Sequence, residues 1–275
     1  MDAHTRSPAD PCTAPPAAPA VPAVPAAAPA VPAGSAVHAV RPLTRTIPAP
    51  DRVWYASYGS NMHMDRLAAY IAGGNPPGAT HSHPGCRDRR APERSVPVEL
   101  DGRLYFATES LVWTGGRGYY DPTAPGRIRG RAHLVTAGQL SDIAAQEMGR
   151  EPGADLDLTH VLRDGRHALG PGRYETLVCP GTIDGIPVLT FTAPWTLRDV
   201  ELRTPAAGYL RHLAAGLLDS GPWTRQDTAE YLSTCPGAAG TWTPDRIHTL
   251  LTATPRAGVS GPRGARSGGS GWSGW

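Results

Sequence analysis

Val53-Trp54-Tyr55-Ala56-Ser57-Tyr58-Gly59-Ser60-Asn61-Met62 is the stretch that decides the fold. An apolar run from Val53 to Tyr58 stops at Gly59-Ser60-Asn61, and a helical pattern follows. Met64, Leu67, Ala68 and Ile71 fall at i, i+3, i+4 and i+7, with Gly73-Gly74 as the stop. The reading is strand, polar turn, helix. Gly59 permits positive φ or close approach of a ligand to the backbone. Ser60 and Asn61 offer side-chain oxygens and successive backbone N–H groups at the helix entrance, where an anion is favoured. The junction is a candidate pocket for a carboxylate or a developing oxyanion; the bland alternative is a turn that only redirects the chain.

Outward from this stretch, composition marks off the ends. Residues 1–50 read as a disordered arm, because positions 11–34 are almost wholly Ala, Pro and Val and proline at that density excludes a helix. Met1-Asp2-Ala3-His4 lacks the basic start of a secretory leader, and no apolar run reaches the length of a membrane span. Residues 254–275, rich in Gly, Ser and Arg, read as a disordered tail. One domain is expected over residues 51–253.

A net charge of +2 implies no nucleic-acid partner. All 26 basic residues are arginine, which removes Schiff-base chemistry and a P-loop lysine. Cys12, Cys86, Cys179 and Cys235 are far apart, as suits a reducing cytoplasm without a structural zinc.

Asn75 to Arg94 reads as a loop. Its His81-Ser82-His83-Pro84-Gly85-Cys86 finds no further cluster at ligand spacing, so exposed histidines are expected and not a metal site. Leu104 to Thr108 is a strand. Trp113 to Pro122, with three glycines and three aromatics, reads either as a mobile loop whose rings close over a ligand or as a surface loop packed on the sheet. Arg131 to Val135 is a strand, and Thr136 caps a helix over Ala137–Gly149. On that helix Glu147 follows the apolar stripe of Leu140, Ile143 and Ala144, while Asp142 and Gln146 lie away from its centre. A carboxylate there is either a general base with a raised pKa or half of a structural salt bridge. Gly170 to Cys179 and Ile186 to Thr192 read as strands, the latter entered through a hairpin turn at Asp184-Gly185. Helices are expected from Thr204-Pro205, carrying Tyr209 beside its apolar stripe, from Thr224 with an imperfect capping box to Asp227, and from Thr243-Pro244. Strands first and helices later argue an α+β domain on a curled antiparallel or mixed sheet.

Tyr55-Ala56-Ser57-Tyr58-Gly59-Ser60-Asn61-Met62 resembles the opening signature of the γ-glutamylcyclotransferase-like family. Three further segments are similar to that family: the strand and helix ending in Gln146-Glu147, the hairpin at Asp184-Gly185, and Pro205 to Tyr209 followed by Leu213, Gly216 and Gly221-Pro222. Together they span most of residues 52–235. The resemblance implies an α+β fold with a small β-barrel flanked by helices. It implies a cofactor-free release of 5-oxoproline from a γ-glutamyl amide, with Glu147 as general base and acid. Tyr58, Gly59, Ser60, Asn61, Met62 and Tyr209 would bind substrate, the backbone N–H groups of Gly59, Ser60 and Asn61 taking a carboxylate or oxyanion. Its implied partner is a small-molecule γ-glutamyl substrate, without nucleic acid, membrane or metal, in the cytoplasm. This sequence departs from the family in the Pro/Arg/His insert and the Tyr/Gly loop, both of which could reshape the leaving-group side.

Two other readings stay open. One is an amide hydrolase or deacylase on the same scaffold, with water as nucleophile; a zinc-dependent version would need His/Asp ligands that the sequence does not place at ligand spacing. The other is a non-catalytic module that binds a small carboxylate or engages a partner through the proline-rich arm. Ser60 and Cys86 have no evident base–orienter pair, and G-x-S-x-G is absent.

Overall fold

Strand β2 (Arg52–Ser57) is buried along its length after Arg52, and a strand apolar on both faces belongs inside a sheet. In the computed structural model, which describes residues 36–43, 50–76, 82–110 and 112–252, it sits there. β2 runs antiparallel to β6 (Arg127–Thr136), in register from Arg52↔Thr136 to Ser57↔Arg131, and parallel to β9 (Ile186–Thr192). Outside β6 lie β3 (Arg94–Asp101) and the short β1 (His38–Ala39); outside β9 lie β8 (Thr176–Ile183) and β7 (Arg166–Ala168). The seven strands are ordered β1-β3-β6-β2-β9-β8-β7.

Alternation along β2 divides the core in two. Trp54 and Ala56 face a cluster completed by α4 (Ala207–Asp219), α5 (Arg225–Ser233) and α6 (Pro244–Thr252). Val53 and Tyr55 face the opposite cluster, completed by α1 (Met64–Ala72), α2 (Ala137–Glu147) and α3 (Thr159–Asp164). The mixed α+β class holds. The small closed barrel does not: β1 and β7 are open edges of the ladder, and β4 (Arg103–Glu109) with β5 (Gly116–Asp121) forms a separate hairpin. The hairpin is fastened to β9 by one side chain. Thr192 Oγ1 donates to Tyr120 O at 2.7 Å and accepts from Tyr120 N at 3.1 Å.

Several local expectations are corrected. Gly116–Asp121 is a fully buried strand and not a loop. Its glycines are required by close packing: a Cβ on Gly116 would lie 2.1 Å from Arg203 O, and one on Gly118 3.0 Å from Tyr209 Oη. Residues 36–43 are ordered, with β1 parallel to β3 and Arg41 exchanging backbone hydrogen bonds with Thr182, so this part of the 1–50 arm belongs to the sheet. The rest of that arm, residues 1–35 and 44–49, and the 254–275 tail lie outside the described residues. α4 begins after Ala206, its N-cap, and not at Thr204, whose carbonyl accepts from Gly116 N at 2.9 Å. Asp142 and Gln146 are buried, Asp142 under the chain after His83 and Gln146 against α1. Asp142 accepts from Arg87 N (2.8 Å) and Nε (3.0 Å), and Gln146 Nε2 donates to Tyr70 O (3.0 Å). The Asp184-Gly185 turn has both residues at positive φ, 53° and 77°, as a two-residue hairpin requires. No described helix is long and apolar enough to cross a membrane.

Candidate active site

α2 is anchored at its start by a complete capping box between Thr136 and Gln139. Leu140, Ile143 and Ala144 then seat it on Val53 and Tyr55 of β2. Glu147, the last residue of the helix, continues that stripe past the apolar packing and reaches a pocket at the end of β2. Gly59, Ser60 and Asn61 line the same pocket, together with Tyr55, Tyr58, Arg66 and Tyr209. Its cavity volume is about 50 Å³, in a cleft partly open to solvent whose empty space is about 570 Å³.

Asn61 links the two halves of the site. The chain makes one 3-10 turn over Ser60–Met62 before α1 starts with His63 as its N-cap. Asn61 thus lies in that turn and not at the entrance of α1 itself. Its side chain turns inward, donating through Nδ2 to Glu147 Oε1 at 2.9 Å and to Tyr55 Oη at 3.3 Å. Asn61 Oδ1 is buried without a donor. The N–H groups of the first residues in a helical turn have no acceptor inside it, which leaves those of Ser60 and Asn61 beside the pocket.

Burial pushes the Glu147 carboxyl above the ordinary carboxylate range; the Arg66 guanidinium, Tyr70, Asn61 and Arg173 pull the other way without overcoming it. The Tyr70 hydroxyl interacts with the carboxylate but is not placed for a well-formed hydrogen bond. Arg66 and Tyr70 come from α1, one turn apart.

Tyr58 lines the pocket with its ring, and its hydroxyl is committed to Phe191 O at 2.9 Å. Tyr209 Oη accepts from Gly118 N at 3.3 Å, so its proton remains available to a ligand. The ring of Trp113 stacks on Tyr209, centroids 5.5 Å apart, and tilts against His212 at 5.3 Å, covering one side of the pocket. Beneath it His212 Nε2 donates to Ser60 O at 3.0 Å, and burial holds this imidazole down at about 4, hence neutral at ordinary pH. That bond is to the Ser60 carbonyl and not its hydroxyl, so it does not make Ser60 a nucleophile. Met62, expected among the binding residues, lies in the core: its Cβ would meet a Cβ on Gly216 at 2.7 Å. Cys86 is buried against Tyr70 O, its thiol pushed up to about 12, far from reactive. Among the described residues no group of three or more His, Cys, Asp or Glu is placed to hold a metal ion; His81 lies outside them.

Sequence reasoning missed Arg66, Tyr70, Tyr55 and Arg117. For the first two a signal was present. Arg66, Leu67, Tyr70 and Ile71 form one helical face, the buried one, whereas Ala68, counted on the apolar stripe, is exposed. Tyr55 could be read only as part of an apolar strand, and Arg117 sits among glycines with no pattern around it.

No family model matches the chain. It is 31% identical over 220 residues to a protein named histone deacetylase 5 from Arabidopsis thaliana, an alignment covering 71% of this chain and 33% of that protein. Among solved structures, it is similar to an uncharacterized protein from Homo sapiens (TM-score 0.40, 14% identity, 74% of this chain and 100% of that one). It is also similar to a gamma-glutamyl cyclotransferase (TM-score 0.38, 13% identity, 73% and 98%). The chain spans about a third of the length of the curated plant relative that it matches.

Proposed function

We propose that the chain releases 5-oxoproline from a γ-glutamyl amide by intramolecular attack of the substrate's α-amine on its side-chain carbonyl. The observation that carries this reading is the Glu147 carboxylate, desolvated at the end of α2 and held by Asn61 beside Gly59 and Ser60. A base with a raised pKa is matched to removing a proton from an ammonium near neutrality. Glu147 takes that proton, the amine nitrogen bonds to the γ-carbonyl carbon, and the tetrahedral intermediate collapses by breaking its bond to the departing nitrogen, to which Glu147 returns the proton; the second proton shed by the new lactam nitrogen leaves with the amine as its ammonium. The reading assigns the backbone N–H groups of Gly59, Ser60 and Asn61 to the oxyanion or the α-carboxylate. Tyr209 donates to the substrate, and Asn61 Oδ1 accepts from its ammonium. Arg66 keeps part of the Glu147 population ionised, which is the form a base needs.

Both reacting groups belong to one molecule, so much of the catalysis is holding them together, and a small pocket suits that task. The mechanism calls on no cofactor. One finding favours a second reading, amide hydrolysis with water as nucleophile: the plant relative's name is that of a deacylating enzyme. Product analysis separates the two. A panel of γ-glutamyl compounds incubated with the protein should yield 5-oxoproline and the free amine. Glutamate in its place would make water the nucleophile, and no product from the whole panel would favour a binding module.

A further inference from the structure

One charged side chain of the pocket has no part in that chemistry. Arg117 lies on β5 opposite Ala107 of β4, lines the pocket, and is only 7% exposed. Its Nε is buried without a hydrogen-bond acceptor, and among the described residues no carboxylate pairs with its guanidinium. Buried Arg131, whose Nε and Nη2 also lack acceptors, differs in having a carboxylate, with Nη1 donating to Asp219 Oδ2 at 2.6 Å. A buried cation lacking a counter-charge is costly unless a ligand completes it. The lining charges point to the ligand's sign: two guanidinia, Arg66 and Arg117, stand against one carboxylate, Glu147, leaving one positive charge in excess. The guanidinia whose charge acts most on Glu147 are those of Arg66 and Arg173, so Arg117 is not the partner of the base.

We propose that Arg117 is a specificity-determining residue whose guanidinium pairs with a carboxylate on the leaving portion of the substrate. The glutamyl half of that substrate rests on the cyclotransfer reading above. A γ-glutamyl compound with a neutral leaving portion carries one ammonium and one carboxylate, and is neutral. With an amino acid or peptide as leaving portion it carries a second carboxylate, and so brings the single negative charge that the lining lacks. Arg117 projects from the β4–β5 hairpin, whereas Glu147 and Arg66 come from α2 and α1, which gives the second carboxylate its own side of the pocket. Trp113 and Ser110 line the pocket from the same hairpin. In so buried a place the arginine fork discriminates strongly, since a ligand without the carboxylate leaves the guanidinium unpaired.

The test measures binding and turnover separately. γ-Glutamyl-alanine and γ-glutamyl-ethylamide share the glutamyl half and the amide, and differ in a carboxylate. Calorimetric titration of the Glu147→Gln protein gives Kd for each, and is repeated with Arg117→Gln added. We expect γ-glutamyl-alanine to bind roughly 10- to 150-fold more tightly than the ethylamide. The double variant should lose that preference while its Kd for the ethylamide changes by less than about threefold. Absence of the preference in the Glu147→Gln protein, or binding of neither compound, overturns the proposal whether or not the double variant folds. An equal loss of both ligands in the double variant also overturns it, by placing Arg117 on the shared glutamyl carboxylate. Turnover of the same pair with Glu147 intact reports on the reaction independently. A binding preference without 5-oxoproline would fail the reaction and spare Arg117; equal kcat/KM for both compounds would fail Arg117 and spare the reaction.

Discussion

Replacing Asn61 with alanine removes the one hydrogen bond that Glu147 receives from the Gly59-Ser60-Asn61 turn, 2.9 Å from Nδ2 to Oε1. A hydrogen bond to a charged group contributes about 1.5–3 kcal/mol. Asn61 favours the ionised carboxylate, so its loss pushes the Glu147 pKa further in the direction in which burial already drives it. The equilibrium between ionised and neutral Glu147 then moves towards neutral by roughly 10- to 150-fold. A general base works only when ionised. On a log plot of kcat/KM against pH, the acidic limb of Asn61→Ala should therefore move upward, with the loss greatest at neutral pH and smallest at alkaline pH, where only the lost contact between Oδ1 and the substrate's amine remains. The assay is 5-oxoproline release across the pH range for both proteins. An acidic limb that does not move would refute the coupling. So would a uniform fall at every pH, which would mean that Asn61 only binds substrate.

The pocket and the core should separate cleanly. Met62→Ala removes a buried side chain packed against α4 and should cost about 2–5 kcal/mol in denaturant unfolding, with KM unchanged in the folded protein; a raised KM at unaltered stability would return Met62 to the site. Glu147→Gln should raise stability at neutral pH. The Glu147 pKa is higher folded than unfolded, so the wild type loses stability as pH rises from the ordinary carboxylate value through the folded one. Glutamine escapes that loss. Unfolding curves of the two should converge below about pH 4.5, the ordinary value, and separate above it in favour of the variant. A variant that is less stable at neutral pH would mean that Glu147 is held chiefly by its cationic neighbours.

The position of Glu147 was legible because α2 is regular: Leu140, Ile143, Ala144 and Glu147 follow one period, and a period can be read without knowing what covers it. The burial of Asp142 and Gln146 was not, because Asp142 is covered by Arg87 and Gln146 by Tyr70 of α1, both more than fifty residues earlier. Gly116 and Gly118 invite the opposite error. A glycine means looseness or close approach according to what a Cβ would strike, here Arg203 O and Tyr209 Oη, and neither neighbour is local. The same non-locality explains the barrel. Each strand is a local pattern, but whether a sheet closes depends on which edges meet, and β1 and β7 do not. Asn61 was read as a helix-entrance residue. An intervening 3-10 turn re-aims it at Glu147, a displacement of two or three residues that sequence patterns do not resolve.

The proposed reaction is an intramolecular displacement in which Glu147 moves the proton. Its most direct test is single-turnover 5-oxoproline release from γ-glutamyl-alanine by wild type and Glu147→Gln, with matched near-ultraviolet circular dichroism to confirm the fold. Wild type should release 5-oxoproline, and the variant should do so about 10²- to 10⁴-fold more slowly. A variant that turns over within tenfold of wild type would contradict it.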